Sequence, residues 1–182
     1  MKRVFLGLSL IFIGLLASVV VYLLTWRFAH EEVPFQAGVK GAKAEVYFSV
    51  LRTARHSFYL NPYFKSGDPQ DPERTKDRER VSKLAGSGAH DSKTKRPIND
   101  GLPIPVRLTI IRLSHDLPET IHDKVYIEHE LEGWALNHYL KLIVHYKLDA
   151  GQYQARIEAL DDIPLLQTVP IRFDVHVAHD RL

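Results

Sequence analysis

The stretch YLKLIVHYKLDAGQYQARIEA, residues 139–159, decides the fold class of this chain. Apolar side chains recur at every second position on both sides of a short turn, at Leu140, Leu142, Val144, Tyr146, Leu148, Tyr153, Ala155, Ile157 and Ala159. Such alternation is typical of half-buried β-strands, because successive side chains in a strand point to opposite faces of the sheet. The stretch therefore predicts two neighbouring strands joined by a tight connection.

The phase of the first alternation predicts which face of its strand is buried. The residues that we expect to be buried are Leu140, Leu142, Val144 and Tyr146. The opposite face, with Lys141, Ile143 and His145, should point outward or lie beneath a helix. A shift of one residue in the register would exchange the two faces.

The connection within this stretch carries a more specific signal. Asp149, Gly151 and Tyr153 match the Asp-x-Gly-x-Tyr turn that precedes strand F of immunoglobulin-like domains. In those domains the tyrosine hydroxyl bonds back to nearby backbone and fixes the corner between the two sheets. The alternative is an ordinary hairpin turn that carries a packed tyrosine.

Five other segments show the same strand-like pattern, in residues 44–50, 57–64, 104–111, 125–132 and 171–177. Together with the two strands above they make seven strand-like segments, most of them joined by short connections. This organisation predicts a mostly β fold, an immunoglobulin-like antiparallel β-sandwich.

A helical insertion should interrupt these strands at residues 68–101. Asp71 is suited to cap the helix and Pro72 to occupy its first position, and the helix should end near Gly86. The loop that follows, residues 87–100, is rich in Gly, Ser, Lys, Asn and Pro, so we expect it to be mobile and to be the first site of proteolysis.

The N-terminal residues predict where the protein works. Residues 4–26 form an apolar run without charge, long enough as a helix to cross a hydrocarbon core of about 30 Å. Lys2 and Arg3 precede the run, and basic residues favour the cytoplasmic side. We therefore expect one N-terminal transmembrane helix in the inner membrane, with the C-terminal domain in the periplasm.

The predicted domain organisation has three parts: a signal-anchor helix in residues 1–27, a short linker in 28–34 and a periplasmic β-sandwich domain in 35–182. A cleaved signal peptide is the alternative for the first part. It fits less well, because the apolar run is longer than a usual signal sequence and no A-x-A-like cleavage site follows it. A lipoprotein signal is excluded, since the chain has no cysteine to acylate.

Several segments, taken in order, resemble one known family. They are residues 63–86, which end in DRERVSKLAG, residues 101–108, GLPIPVRL, and residues 148–153, LDAGQY. Over residues 33–178 the chain is similar to the Gram-negative bacterial family called domain of unknown function 5625. The resemblance implies an exported single-domain envelope protein. Many members are lipoproteins, and this chain departs from that pattern. The family implies no established activity and no functional residues.

Composition and motifs argue against most kinds of chemistry. The chain has no cysteine, a formal net charge of +2 and no basic arm, so thiolate catalysis and nucleic-acid binding are not expected. It contains no nucleophile elbow, phosphate-binding loop or dinucleotide fingerprint. We expect dispersed surface histidines at His115, His122, His129, His138, His145, His176 and His179. The sequence therefore predicts no catalytic residue, no cofactor, no metal site and no enzymatic activity.

Two charged features are candidate contacts for a partner. Glu128, Glu130 and Glu132 should share one face of a strand at a spacing of about 6.8 Å, where they could meet a basic surface. Arg78 and Arg80 should reach carboxylates from the insertion helix. For both features the alternative is solvated charge without function.

Trp134 and Tyr139 flank the turn that follows the acidic residues. We expect both rings to pack into the core, because large aromatic side chains contribute most when they are buried. The alternative is that they are exposed anchors for a protein partner.

These observations predict a membrane-anchored periplasmic binding domain without catalysis, such as an immunity protein or an envelope-interaction protein. Its partners would be the inner membrane, through residues 4–26, and a protein in the periplasm. One alternative is a protein or enzyme that binds envelope lipid or peptidoglycan, which would need a pocket lined by polar groups such as His115 and His122. Another is a structural subunit of an envelope assembly.

Overall fold

A computed structural model of the chain describes residues 30–64, 68, 70–86, 101–114 and 117–178. In this part of the chain the elements are, in order, β1 (His30–Phe35), β2 (Lys43–Val50), β3 (Ala54–Pro62), α1 (Pro72–Ala85), β4 (Val106–Leu113), β5 (Glu119–Tyr126), β6 (Glu130–Trp134), β7 (Tyr139–Leu148), β8 (Gly151–Ala159), a 3₁₀ turn (Pro164–Leu166) and β9 (Ile171–Val177). The predicted anchor at 4–26 and the predicted mobile loop at 87–100 lie outside the described residues, so both stay predictions.

The described strands form two antiparallel sheets. The five-stranded sheet has the order β1-β9-β3-β7-β6, and the four-stranded sheet has the order β2-β8-β4-β5. Consecutive strands β7 and β8 lie in different sheets, as expected for a turn at a corner of the sandwich. The predicted mostly β fold with antiparallel sheets and one inserted helix is confirmed, while the immunoglobulin-like topology stays a prediction.

The hydrophobic core lies between the sheets. The ring of Phe48 in β2 meets that of Phe58 in β3 edge-on, with 6.3 Å between centroids, and stacks on Tyr153 at 5.7 Å. Phe58 also stacks on Phe173 of β9, and both rings are completely buried. Aromatic contacts of this kind join two strands of one sheet to two of the other, so the two sheets are held together by apolar packing.

The predicted tyrosine corner is confirmed between β7 and β8. Tyr153 is buried, and its hydroxyl donates a hydrogen bond of 2.9 Å to the carbonyl oxygen of Asp149. This bond closes the turn where the chain passes from one sheet to the other. The Asp-x-Gly-x-Tyr pattern was therefore a true signal of the corner.

A β-bulge in β7 changes the register that the sequence predicts. Phe58 of β3 pairs with Val144, but the next residue, Tyr59, pairs with Leu142. Ile143 is thus an extra residue in β7 with no partner of its own in β3. Such a residue reverses the alternation of side chains along the rest of the strand.

The prediction of the buried face of β7 is consequently right on one side of the bulge and wrong on the other. Val144 and Tyr146 pack against the core, as expected. Beyond the bulge, Lys141 and Ile143 are buried instead. The residues that should have been buried there but are only half-buried are Leu140 and Leu142.

The segment predicted as one strand over residues 125–132 is divided between the sheets. β5 ends at Tyr126 in the four-stranded sheet, and β6 begins at Glu130 in the five-stranded sheet. The chain crosses between them at 127–129, where His129 is buried and its Nε2 donates to the carbonyl oxygen of Ile104 at 2.7 Å. β1 had no counterpart among the predicted strands and begins within the segment assigned to the linker.

The helix α1 begins and ends where its sequence predicts. Asp71 Oδ1 accepts a hydrogen bond of 2.9 Å from the backbone N–H of Glu73, and Pro72 is the first helical residue. Gly86 ends the helix at a φ of 96°, a conformation that favours glycine. No helix in the described part of the chain is both long and apolar enough to cross a membrane.

Candidate functional site

A cavity opens between α1 and the turn that joins β6 to β7. It has a volume of about 300 Å³ and is lined by Arg74, Arg78, Trp134, Ala135 and Leu136, and we call it the helix groove. The guanidinium of Arg74 donates through Nη2 to the carbonyl oxygen of Leu136, which ties the helix to the turn. The turn is itself closed by a backbone hydrogen bond of 2.9 Å from Ala135 to His138. Both walls of the helix groove are therefore fixed to each other.

The helix groove places large apolar side chains in solvent beside positive charge. Trp134 is 68% exposed and Leu136 is 75% exposed, so two large apolar side chains line the same groove in solvent. Among the described residues, neither Arg74 nor Arg78 takes part in an ion pair. Trp and Arg are the residues most often found at the energetic centres of protein interfaces. The groove is thus suited to a segment that presents a carboxylate next to an apolar side chain.

The predicted contacts Arg78 and Arg80 have different surroundings. Arg78 is exposed and lines the helix groove, as the partner-contact hypothesis requires. Arg80 points elsewhere: its Nη2 lies 2.7 Å from Asp77 Oδ1 and its Nη1 donates to Thr168 Oγ1 at 3.0 Å. Arg80 therefore attaches the helix to the segment before β9, and its charge is already neutralised.

Trp134 and Tyr139 do not share one role, contrary to the expectation that both rings pack into the core. Tyr139 is buried and meets Phe64 edge-on at 5.1 Å. Trp134 lies in solvent, although it is the last residue of β6 and still pairs with Tyr139. The alternative reading, an exposed anchor, fits Trp134 alone.

The three acidic residues do not form one strand face. Glu128 lies in the crossing segment before β6, so the expectation that it continues the row of Glu130 and Glu132 is wrong. Glu130 pairs with Leu142 in β7 and is exposed. Glu132 is the extra residue of a second bulge, between Leu131 and Gly133, and is hydrogen-bonded within the protein.

The partners of Glu132 belong to a hydrogen-bonded cluster on the outer face of the five-stranded sheet. We call this cluster the sheet network; its members are Glu32, Ser57, Tyr59, Asn61, Tyr63, Glu132, His145, Arg172, Asp174 and His176. These residues come from β1, β3, β6, β7 and β9 and from the residue after β3. The network therefore crosses the whole sheet.

One half of the sheet network is centred on Glu132. Its carboxylate accepts from the hydroxyl of Tyr59 and lies 3.1 Å from His145 Nε2. Ser57 Oγ is 2.8 Å from His145 Nδ1, so a neutral imidazole satisfies both neighbours by donating from Nε2 and accepting at Nδ1. Burial, and then the bond to Glu132, raise the pKa of Tyr59 to about 12, which keeps this hydroxyl a donor at any physiological pH.

The other half is centred on two carboxylates. Asp174 is almost completely buried and accepts from Asn61 Nδ2 at 3.0 Å and from His176 Nδ1 at 3.3 Å. Glu32 accepts from the hydroxyl of Tyr63 at 2.7 Å and from Arg172 at 3.1 Å. Burial, and then the bond to Glu32, raise the pKa of Tyr63 above its ordinary value. The ring of Tyr59 stacks on His176 at 4.8 Å and joins the two halves.

Ser57, His145 and Glu132 have the residue types of a hydrolytic triad, but not its accessibility. Ser57 is only 1% exposed and lies in the middle of β3, a strand paired on both sides. A nucleophile must reach a substrate carbonyl beside groups that stabilise an oxyanion. A buried hydroxyl in a regular strand does not offer that geometry, so the sheet network is better explained as a stabilising arrangement.

The histidines are less uniformly exposed than the sequence predicts. His122 and His129 are buried, and burial lowers the pKa of both, for His129 to about 4. Within the described residues no three His, Asp or Glu side chains are arranged to hold a metal ion. His115 and His179 lie outside those residues.

The sequence did not predict the sheet network or the role of Arg74. A usable signal was present in β9, where Asp174 stands between Phe173 and Val175. A polar residue at that position is ordinarily solvated, and only the neighbouring strands show that it is covered. The order of those strands cannot be read from the alternation.

Fold and site together define a β-sandwich domain with a mixed apolar and cationic surface groove. The chain belongs to the family described as Domain of unknown function (DUF5625), whose model matches residues 32–177. This finding confirms the resemblance predicted from the sequence. No curated protein matches the chain.

The fold is also seen in a solved structure. The chain is similar to a protein from Sulfurospirillum deleyianum whose crystal structure superposes with a TM-score of 0.66 at 18% sequence identity. The match covers 83% of this chain and 98% of that one. At this level of identity the similarity shows a common fold and nothing about function.

Proposed function

We propose that this protein is a membrane-anchored periplasmic binding domain without catalytic activity, and that the helix groove docks a protein partner. The observation that carries the proposal is the exposure of Trp134 and Leu136 beside the guanidinium groups of Arg74 and Arg78. Leaving such side chains in solvent gains nothing for folding. Their burial against a partner would remove a large apolar area from water and bring the two cations close to its carboxylates.

The position of the helix groove in the sandwich supports this proposal. The groove lies beside the start of β7, at the opposite end of the domain from the start of β1. With the anchor before β1, the groove would face away from the membrane and be open to proteins of the periplasm. An immunity protein that neutralises an exported toxin and an envelope-interaction protein both need a surface so placed.

Photo-crosslinking in intact cells tests the partner. A photoreactive amino acid in place of Leu136 should give a discrete adduct with one protein, and Arg78→Glu should reduce its yield several-fold. The matched control is the same replacement at Leu165, an exposed leucine outside the groove. Specific docking in the groove would be ruled out if positions 136 and 165 gave equal yields of the adduct. It would also be ruled out if Arg78→Glu left the yield at position 136 unchanged.

A fusion of alkaline phosphatase to the C-terminus tests the anchor separately. The enzyme should be active, because the apolar run at residues 4–26 follows Lys2 and Arg3 and should leave the C-terminus in the periplasm. An inactive phosphatase together with an active cytoplasmic reporter at the same position would contradict this orientation.

A further inference from the structure

One end of the sandwich collects the connections nearest to the N-terminal segment. His30, the first residue of β1, pairs with His176 near the end of β9. At the same end Ala54 pairs with Leu148, so β3 begins and β7 ends there. The β2–β3 turn, the β4–β5 loop and the β7–β8 turn therefore lie together at this end, which we call the anchor end.

Two leucines are exposed at the anchor end. Leu51 in the β2–β3 turn is 66% exposed, and Leu117 in the β4–β5 loop is 77% exposed. Turns at the end of a sandwich ordinarily carry polar residues or glycine at such positions. Both side chains are large, apolar and free of any role in the core.

Three basic residues lie at the same end of the sandwich as these leucines. Arg52 follows Leu51, and Arg55 of β3 pairs directly with Lys147 of β7. Like charges at directly opposed positions repel each other and do not help the sheet to form. Among the described residues, none of the three cations takes part in an ion pair. Their arrangement favours an anionic surface outside the domain.

Three of the described carboxylates, those of Asp149, Glu119 and Glu31, also lie at the anchor end, and Glu119 is exposed. Asp149 accepts from the hydroxyl of Thr53 at 2.9 Å. Glu119 stands opposite Arg112 in the β4–β5 pair, and Glu31 pairs with the buried Val175. They lower the net charge of this end but do not neutralise the Arg55 and Lys147 pair.

The length of chain before β1 limits how far this end can stand from a membrane. The apolar run ends at Trp26 and β1 begins at His30, four residues later. Even fully extended, that connection reaches no more than about 14 Å. The far end of the domain is separated from the anchor end by the ten residues of β7, a span of about 30 Å.

We propose that the anchor end rests on the bilayer surface, with Leu51 and Leu117 in the interfacial region and Arg52, Arg55 and Lys147 on anionic phospholipid headgroups. This inference rests on the anchor of the proposed function. Docking on headgroups would fix the orientation of the domain and hold the helix groove away from the membrane. Apolar side chains beside basic ones are the combination by which peripheral surfaces bind anionic lipid.

The chain has no cysteine, so single labels can be placed cleanly in the full-length protein. Cysteine is introduced at position 51 or 117, with control positions 136 and 165 at exposed leucines of the far end. Each variant carries a fluorescent label and is reconstituted into nanodiscs of phosphatidylglycerol and phosphatidylcholine that contain a headgroup-quencher lipid. Labels at 51 and 117 should be quenched at least twofold more than those at 136 and 165. The triple variant R52E/R55E/K147E should abolish the difference.

The possible outcomes separate the two levels of the proposal. Failure to co-elute with nanodiscs would overturn the anchor and this inference with it. Co-elution with equal quenching at all four positions would overturn the inference alone. The labels at 51 and 117 could instead be shielded in detergent without lipid, to an extent that rises with protein concentration. That result would show that a second copy of the chain covers the anchor end, and it would also overturn the inference.

Discussion

The sheet network and the helix groove both contain charged side chains, but those side chains differ in whether they find partners within the protein. In the network, Asp174 and Glu132 are hydrogen-bonded to residues of neighbouring strands. In the groove, Trp134 and Leu136 are exposed and Arg78 lies beside them in solvent. A polar group that is hydrogen-bonded within the protein stabilises the fold, whereas a surface whose side chains lie in solvent can gain by binding. The comparison predicts that substitutions in the first region affect stability and those in the second affect recognition.

The largest loss of stability should follow from Asp174→Ala. Its carboxylate is almost completely buried, and its removal takes away an acceptor of His176 Nδ1 and the nearer of the two carboxylates to which Asn61 Nδ2 donates. We expect the free energy of unfolding to fall by about 3 kcal/mol in urea titrations of the full chain. Asp161→Ala, at an exposed position, is the control and should change it by less than about 0.5 kcal/mol. Similar values for the two variants would mean that the network does not stabilise the fold.

Acid should weaken the fold without discharging the helix groove. Burial first, and then the nearby Lys141, lower the pKa of His129 to about 4, although the bond to Ile104 opposes the shift. The folded state therefore favours the neutral imidazole, while the unfolded chain takes up a proton near pH 6.5. This contribution is fully present above about pH 6.5 and is lost as the pH falls to about 4, at most about 3 kcal/mol.

Urea titrations at pH 7, 5.5 and 4.5 measure the slope of the free energy of unfolding against pH. The lowered pKa values of His56 and His122 act in the same direction, so the slope should be reduced but not abolished in His129→Gln. Arg74 and Arg78 stay charged throughout, so partner binding should persist while the domain is folded. An unchanged slope in His129→Gln would contradict the assignment to this residue.

A smaller effect is expected for Tyr59→Phe. The substitution keeps the stacked ring and removes only the hydroxyl that donates to Glu132. We expect a loss of about 1–2 kcal/mol, since the buried Tyr59 loses its hydrogen bond to a carboxylate. Tyr47→Phe, at a tyrosine that is 60% exposed, is the matched control and should lose less than half as much. Equal losses would indicate that burial of the network has no energetic consequence.

Much of the fold could be predicted from the sequence, because local patterns carry it. The alternation around Val46 and Phe48, the Asp71 cap and the Tyr153 turn each produce the predicted structure. In these cases the signal and the structure lie within a few residues of each other.

The errors arose where the structure depends on a neighbouring strand. The bulge at Ile143 can be seen only in the pairing of β7 with β3. In the sequence, residues 142–144 are all apolar, so the alternation does not show which of their side chains point to the core. The crossing between β5 and β6 was hidden for the same reason, because Val125 to Glu132 alternates as one strand would.

The candidate site was predictable only in part. Arg78 was correctly placed on the exposed side of the helix, but its meeting with Trp134 depends on the packing of α1 against the β6–β7 turn. Arg80 and Glu132 appeared equally available in the sequence, and the structure pairs both with other residues. Charge alone does not distinguish a binding residue from a structural one.

The most direct test measures stability and partner crosslinking together in two variants. In Arg78→Glu with Trp134→Ala, the adduct formed by a photoreactive residue at 136 should fall at least fivefold, while the free energy of unfolding changes by less than about 1 kcal/mol. In Asp174→Ala the free energy of unfolding should fall by about 3 kcal/mol, and the protein that remains folded should still form the adduct. An undiminished adduct in the groove variant, or a loss of stability there as large as in Asp174→Ala, would contradict the division between a stabilising network and a binding groove.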